Sequence, residues 1–277
     1  MDKIPFMKLS GAGNDFVIIN NLNHIIDSTN SEFLSFVTKI CQRRMSVGAD
    51  GVLLVEPTED ADFRMRYFNA DGGEAETCGN GARCISKFAF LNGIVPKQMR
   101  FLTNAGIYEA EIVGDNVKVR MSDPTDLRIN VPLQLEDGVH KVGFANSGVP
   151  HVVFLVDDLK STDVFDLGQQ TRYHNDFKPA GTNANFITVH SEELIEIRTY
   201  ERGVENETLA CGTGSIASAI VSATLGKVES PVSVKTASGV VLKIHFDLEE
   251  NEAKNVYLEG DARVIFAGEL TSAAWNY

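Results

Sequence analysis

"TCGNGARC" (77–84) opens the stretch "CGNGARCISKFAFLNG" (78–93), and the same pattern returns as "CGTGSIASAIVSATLG" (211–226). Each copy begins on a cysteine, continues with Gly-x-Gly, runs through an apolar segment and closes on a glycine at the same remove. Such a segment predicts a buried helix of about three to four turns that starts just after the cysteine and stops at Gly93 or Gly226. In "AIVSATL" small and apolar residues occupy nearly every position, as on a central helix wrapped by sheet.

Working outward, the repeat extends through both halves of the chain. "LSGAGNDFVIIN" (9–20) and "NSGVPHVVFLV" (146–156) are each a Ser-Gly turn leading into an apolar strand, with Asn14 and His151 in matching places. "FRMRYFN" (63–69) precedes the first cysteine and "IEIRTYERG" (195–203) the second. The remaining segments, such as "RFLTNAGIYEAEIVGDNVKVRMS" and the run from Val232 to Gly268, alternate apolar and polar residues. They read as antiparallel hairpins punctuated by "GDN", "ASG" and "EEN". "SEFLSFVTKICQRR" (31–44) reads as a separate amphipathic helix. The expected fold is therefore α+β, with two pseudo-symmetric lobes. Each lobe is expected to be a curved, mostly antiparallel sheet or barrel around a central helix, with the active site in the cleft between them. Pro124 in "SDPTD" (122–126) marks the hinge, giving lobes over 1–123 and 124–264.

Composition sets limits on function. A chain of 277 residues buries most of the surface its unfolded form exposes, enough for two lobes. The net charge of −13, with no loop that concentrates Lys and Arg, argues against a nucleic-acid partner. "MDKIPFMKLSGAG" lacks the apolar core of a signal peptide, and no run reaches the length of a membrane span, so the expected location is cytoplasmic. Cys41, Cys78, Cys84 and Cys211 form no CxxC pair and have no histidine at ligand spacing, so no metal site is expected and reduced thiols are.

What chemistry suits two matched cysteines? A thiol at a helix start sits where unpaired amides and the macrodipole favour negative charge, so its pKa is expected to fall. Flanking glycines let amides approach an anion such as a carboxylate. Two such thiols about one carbon would invert it: a thiolate removes the α-proton from one face while a thiol delivers a proton to the other. Amides at both helix starts would stabilise the charge that develops on the carboxylate. This scheme calls for no cofactor, neither metal nor pyridoxal. The bland alternative is that a cysteine is a small buried hydrophobe. It suits Cys41, inside its amphipathic helix, and Cys84, which turns away from the Cys78 side of its own helix.

"GAGNDF" (11–16), "YFNADG" (67–72), "CGNGARC" (78–84), "GTNANF" (181–186), "ERG" (201–203) and "ACGTGS" (210–215), in this order, resemble the diaminopimelate epimerase family of pyridoxal-independent amino-acid epimerases. The resemblance implies that Cys78 and Cys211 are the acid/base thiols and that Gly79, Asn80, Gly212 and Thr213 hold the reacting carboxylate. It implies that Asn14, Asn69, Asn183 and Arg202 bind substrate, mainly at its distal end, and that His151 and Glu201 lie near the reacting amino group and tune the thiols. A homodimer and a final segment, 265–277, that returns to the first lobe are implied as well. This chain departs from the family at Val149, where many members have Asn, and at Gly51, where some have Gln. Outside the resemblance, Asn14 and Asn69 could be turn residues bonding their own backbone, His151 a satisfied strand-end histidine, and Glu201 with Arg202 an exposed ion pair. The competing activities are a proline- or hydroxyproline-type racemase or epimerase and, in another class, a thiol redox or binding protein.

Overall fold

In the computed structural model, residues 3–75, 78–250 and 252–277 are described. Thr77 of the opening stretch and Asn251 of the "EEN" turn lie outside the described residues, as do Met1 and Asp2. The chain divides into two compact units, Met1–Val119 with Gly260–Tyr277, and Arg120–Glu259. The class is α+β, rich in strands, with four α-helices among the described residues.

The first ten elements are β1 (Ile4–Gly11), β2 (Asn14–Asn20), α1 (Glu32–Cys41), β3 (Gly51–Glu56), β4 (Phe63–Asn69), β5 (Glu74–Ala75), α2 (Gly79–Leu91), β6 (Gln98–Thr103), β7 (Gly106–Val113) and β8 (Asn116–Arg120). Then follow β9 (Thr125–Leu135), β10 (Gly138–Asn146), β11 (Pro150–Leu155), α3 (Val164–Arg172), β12 (Asn183–Ser191), β13 (Leu194–Glu201) and β14 (Asn206–Thr208). The last are α4 (Gly212–Thr224), β15 (Val232–Lys235), β16 (Val241–Glu249), β17 (Glu252–Asp261) and β18 (Arg263–Leu270).

The two units use one plan. β1–β2 and β10–β11 are antiparallel hairpins. β2 and β3 then pair in parallel across α1, and β11 and β12 pair in parallel across α3. β3–β4 and β12–β13 are antiparallel, after which β4 ∥ β6 and β13 ∥ β15 are bridged by α2 and α4. Hairpins β6–β7–β8 and β15–β16–β17 complete each half. The first strand of each plan also has an outer antiparallel neighbour: β9 on β10, and β18 from the end of the chain on β1. Trp275, just beyond β18, meets Phe36 of α1 edge-on, with ring centroids 5.2 Å apart.

Helices on both faces explain why the central strands read as unbroken apolar runs. Val17, Ile19, Val52, Leu54 and Phe68 pack with Phe33, Val37 and Ile40 of α1. The alternate residues Leu53 and Met65 face α2, where they approach Gly81. In the second unit Val152, Phe154, Ala184 and Phe186 form a core with Val164 of α3, and α4 covers the opposite side. Each fully buried Val, Leu or Ile contributes about 1.5–3 kcal/mol.

Both cysteine-led helices run as the sequence predicts, each followed by a glycine at φ +67°, Gly93 and Gly226. Two expectations need correction, and one part of the fold lies beyond the local pattern. The helix expected over 31–44 ends at Cys41, because the chain turns back and the amides of Gly48 and Ala49 bond the carbonyls of Ile40 and Cys41. The four parallel pairings and α3 were not foreseen; α3 is capped by Asp163, whose carboxylate accepts from the Asp166 amide, and buries Val164, Gly168 and Thr171. And Asn14 and His151 are not equivalent in register. The first parallel pair is Phe16 with Gly51 in one unit and His151 with Asn183 in the other, so His151 stands where Phe16 does.

Gly143 on β10 tests this packing, since a Cβ there would overlap the Cγ1 of Val221 on α4. Gly143→Ala is expected to lose about 1–3 kcal/mol of stability by urea denaturation, and Val221→Ala in the same chain should restore part of it.

Candidate active site

A crossover helix begins at the carboxyl end of the strand it leaves. α2 therefore starts beside the end of β4, placing Cys78 and Asn69 at one end of the first unit, and α4 starts beside the end of β13, placing Cys211 near Glu201 in the second. Cys78 is the N-cap of α2 with extended backbone (φ −152°, ψ 119°), and its Sγ accepts from the Gly81 amide at 3.5 Å. Cys211 caps α4 in the same way (φ −127°, ψ 110°), with Sγ accepting from the Gly214 amide at 3.4 Å. Ser or Asp usually fills this role. A sulfur is a weak acceptor as a thiol and a better one as a thiolate, so the cap favours ionisation. Gly214 is required as glycine: a Cβ there would overlap Asn185 Oδ1 and sit 3.3 Å from the Cys211 sulfur.

The expected lowering of both thiol pKa values is overturned. Burial pushes Cys211 up to about 11, reinforced by the charge of Glu201 and only partly offset by Thr213 and the amides of Gly214 and Thr213. Cys78 is also raised by burial, against the amides of Gly81 and Asn80 and the positive charge of Arg83. A helix start stabilises a thiolate by a kcal/mol or so, and in these units desolvation exceeds that. Cys41 and Cys84 are buried, as expected, and burial holds each at about 12.

Around Cys78 a chain of side-chain bonds fixes the helix start. Asn80 Nδ2 donates to Asn14 Oδ1 at 2.7 Å, and Asn14 Nδ2 donates to Asp50 at 3.0 Å. Arg43 then bridges Asp50 and Asp15. Asn14 thus bonds across the unit and not to its own turn. Asn69 is partly buried at the end of β4, where its backbone closes a turn with Gly72 and Gly73. Opposite it, Gly51 is buried against Tyr67, whose ring carbon would lie 2.6 Å from an added Cβ, so the space a longer residue would use is filled by that ring.

Around Cys211 the network is different. His151 is fully buried on the α4 side of β11. Its Nδ1 meets Asn185 Nδ2 at 3.0 Å, and its Nε2 meets Thr213 Oγ1 at 2.9 Å. Asn185 also donates to the Val152 carbonyl and accepts from Thr199, which fixes the orientation of its amide. His151 Nδ1 is therefore an acceptor and Nε2 carries the proton to Thr213, whose hydroxyl reaches the Cys211 sulfur at 3.5 Å. Burial, with help from the Arg202 charge, drives His151 down to about 3, so the ring is neutral. Burial raises the Glu201 carboxyl.

Asn183 is held by backbone: Nδ2 donates to the Pro150 carbonyl and Oδ1 accepts from the Arg202 amide at 2.8 Å. Arg202 Nη1 donates to the Ala180 carbonyl at 3.2 Å, and among the described residues no carboxylate lies within ion-pair distance of its guanidinium. The Glu201–Arg202 ion pair considered from sequence is not formed. Val149 is partly buried in the turn before β11, where its carbonyl accepts from Ser147. Sequence reading missed Asn185, which orients His151, and Asp50, which anchors Asn14. Asn185 was detectable in "GTNANF" as a second amide two residues from Asn183, on the same strand face. Asp50 carried no comparable signal.

A two-unit α+β chain of this topology belongs to a known class of folds. Solved structures with this architecture include a Bacillus anthracis phenazine biosynthesis protein of the PhzF family, with a TM-score of 0.72, 18% identity and coverage of 98% of this chain and 100% of that one. A hydroxyproline epimerase from Agrobacterium vitis has a TM-score of 0.66 at 14% identity, covering 98% and 93%. These likenesses establish the fold. Sequence narrows it: the diaminopimelate epimerase family matches residues 6–127 and 143–265. The diaminopimelate epimerase of Aquifex aeolicus is 43% identical over 99% of this chain and 100% of its own length, and that of Archaeoglobus fulgidus 43% identical over 97% and 96%. The chain belongs to the diaminopimelate epimerase family, and is an isomerase.

The neutral state of His151 makes a pH prediction. Unfolded, the imidazole takes a proton near its ordinary 6.5; folded, it resists until about 3. Its contribution is fully present above about pH 6.5 and is lost as pH falls toward about 3, on the order of 1 kcal/mol for each pH unit. Chemical denaturation from pH 7 to pH 4 should show this acid loss in the wild type and a shallower one in His151→Gln.

Proposed function

We propose that this enzyme interconverts LL- and meso-diaminopimelate, with Cys78 and Cys211 as its two acid/base groups and no cofactor. One observation carries the reading: in each unit a cysteine sulfur caps its own helix, leaving first-turn amides for an anion. One sulfur, as thiolate, takes the α-proton, and its C–H electron pair moves toward the carboxylate. The amides of Gly79, Asn80, Gly212 and Thr213 stabilise that charge. The other sulfur, as thiol, gives its proton to the opposite face, so the centre inverts and the two sulfurs exchange protonation states.

Burial that raises both thiols in the free protein also strengthens every interaction with the developing charge once substrate displaces water. His151, donating to Thr213, and Glu201 adjust the polarity at Cys211 near the reacting amino group. Asn14, Asn69, Asn183 and Arg202 bind the distal amino-acid end. The guanidinium of Arg202, without an internal carboxylate, suits a substrate that brings a second one. A proline- or hydroxyproline-type substrate brings no second carboxylate.

The lobes of the enzyme correspond to the two units, with the final segment 265–277 in the first. Val264, Ile265 and Phe266 stand exposed in succession on β18, which supports a homodimer that covers them. Among the described residues no helix is long and apolar enough to cross a membrane, and a cytoplasmic enzyme serving lysine and peptidoglycan precursor synthesis follows from the proposed reaction.

Incubation with LL-diaminopimelate in heavy water should give the meso isomer with deuterium at the α-carbon. Turnover of proline or hydroxyproline with diaminopimelate inert would overturn the substrate assignment. Cys78→Ala and Cys211→Ala should each lower kcat by roughly a thousandfold. Arg202→Lys should lower kcat/KM about ten- to a hundredfold, because an ammonium cannot reproduce the two-pronged contact with a carboxylate.

A further inference from the structure

Arg83 lies in the "CGNGARC" stretch and is fully buried, the largest side chain to be so among the described residues. Nε donates to the Asp261 carbonyl at 3.2 Å, Nη1 to the Gly79 carbonyl at 3.4 Å and Nη2 to Asn80 Oδ1 at 2.8 Å. All three acceptors are neutral, and among the described residues no carboxylate lies within ion-pair distance. A guanidinium taken out of water without a counter-charge costs several kcal/mol, and a methionine would fill the same volume without that cost.

The position of the charge suggests what offsets it. Helical side chains sweep back toward the N-terminus, and the contacts to Gly79 and Asn80 place the guanidinium at the first turn of α2, the turn whose Gly81 amide caps the Cys78 sulfur. The groups that could answer it are Cys84, Asp261 and Cys78. Cys84 is fully buried beside Gly11 and stays a thiol. The Asp261 carboxylate is occupied by the Ala12 amide at 3.0 Å and by Arg263 at 2.9 Å. Cys78 is left, partly exposed at the mouth of the helix. Among the described residues, the other charged or titratable groups near its sulfur are Asp50, already engaged by Arg43, and Tyr67.

In the second unit the residue at the place of Arg83 is Ile216, apolar and fully buried, and the group acting on Cys211 is the carboxylate of Glu201. The two copies of the helix start thus carry opposite charge. We propose that Arg83 is a positioning residue whose buried guanidinium is the counter-charge for Cys78 when it ionises, so that Cys78 gives up its proton more readily than Cys211 and serves as the base while Cys211 serves as the acid. Its use in turnover rests on the epimerase reading, whereas the charge pairing is measurable without substrate.

The test is the pH dependence of iodoacetamide alkylation at each cysteine, followed by peptide mapping in the full-length protein. Arg83→Met should slow alkylation of Cys78 at neutral pH by about tenfold or more, moving its rate–pH midpoint up by at least one unit, with Cys211 unchanged. Arg83→Lys, which keeps the charge, should restore most of the rate. An unmoved Cys78 midpoint in folded Arg83→Met overturns the proposal. If that variant does not fold, thiolate absorbance at about 240 nm, read against pH in Cys78→Ser and Cys211→Ser, decides instead. Loss of the lower-pH transition in Cys78→Ser supports the pairing, and its loss in Cys211→Ser refutes it.

Discussion

A sulfur that caps its own helix is held by the first turn, and releasing it costs that turn a hydrogen bond. Cys78 and Cys211 hold extended backbone angles while the residues after them are helical, which brings each Sγ to the amide it caps. Inversion of a carbon is intolerant of misplaced bases, and a base fixed by the fold has little reorganisation left to do. The glycines follow from the same constraint, since a side chain at Gly214 would strike the amide that orients His151.

The sheet decides where those helix starts lie. Because β4 and β6, and likewise β13 and β15, run parallel, the connecting helix must cross over and begin at the carboxyl end of the strand it leaves. That end already carries Asn69 or Glu201. The outer helices α1 and α3 close the opposite face and allow the strands between to be apolar throughout. Thus the packing that stabilises each unit is also what gathers its polar end groups.

The repeated frame carries chemistry that is not repeated. The first unit fixes its helix start through Arg83, Asn80, Asn14 and Asp50, and the second through Asn185, His151 and Thr213. One holds a buried cation at its helix start and the other a partly buried carboxylate near its thiol. In the proposed reaction two thiols must differ in protonation at any instant, and such a difference in surroundings serves that need.

The duplicated plan, the two cysteine-led helices with their glycine stops, the buried fates of Cys41 and Cys84, and the family are all legible in the sequence, because each rests on local spacing and composition. The rest depends on contacts between distant segments. "DFVIIN" reads as a buried strand whether its neighbour runs parallel or antiparallel, and α3 is too weakly apolar to announce itself. Nothing local pairs His151 with Asn185 or brings Asp50 to Asn14. Above all, the helix start predicts a lowered thiol pKa, yet how much water remains at a sulfur depends on everything packed over it, and there burial outweighs the amides.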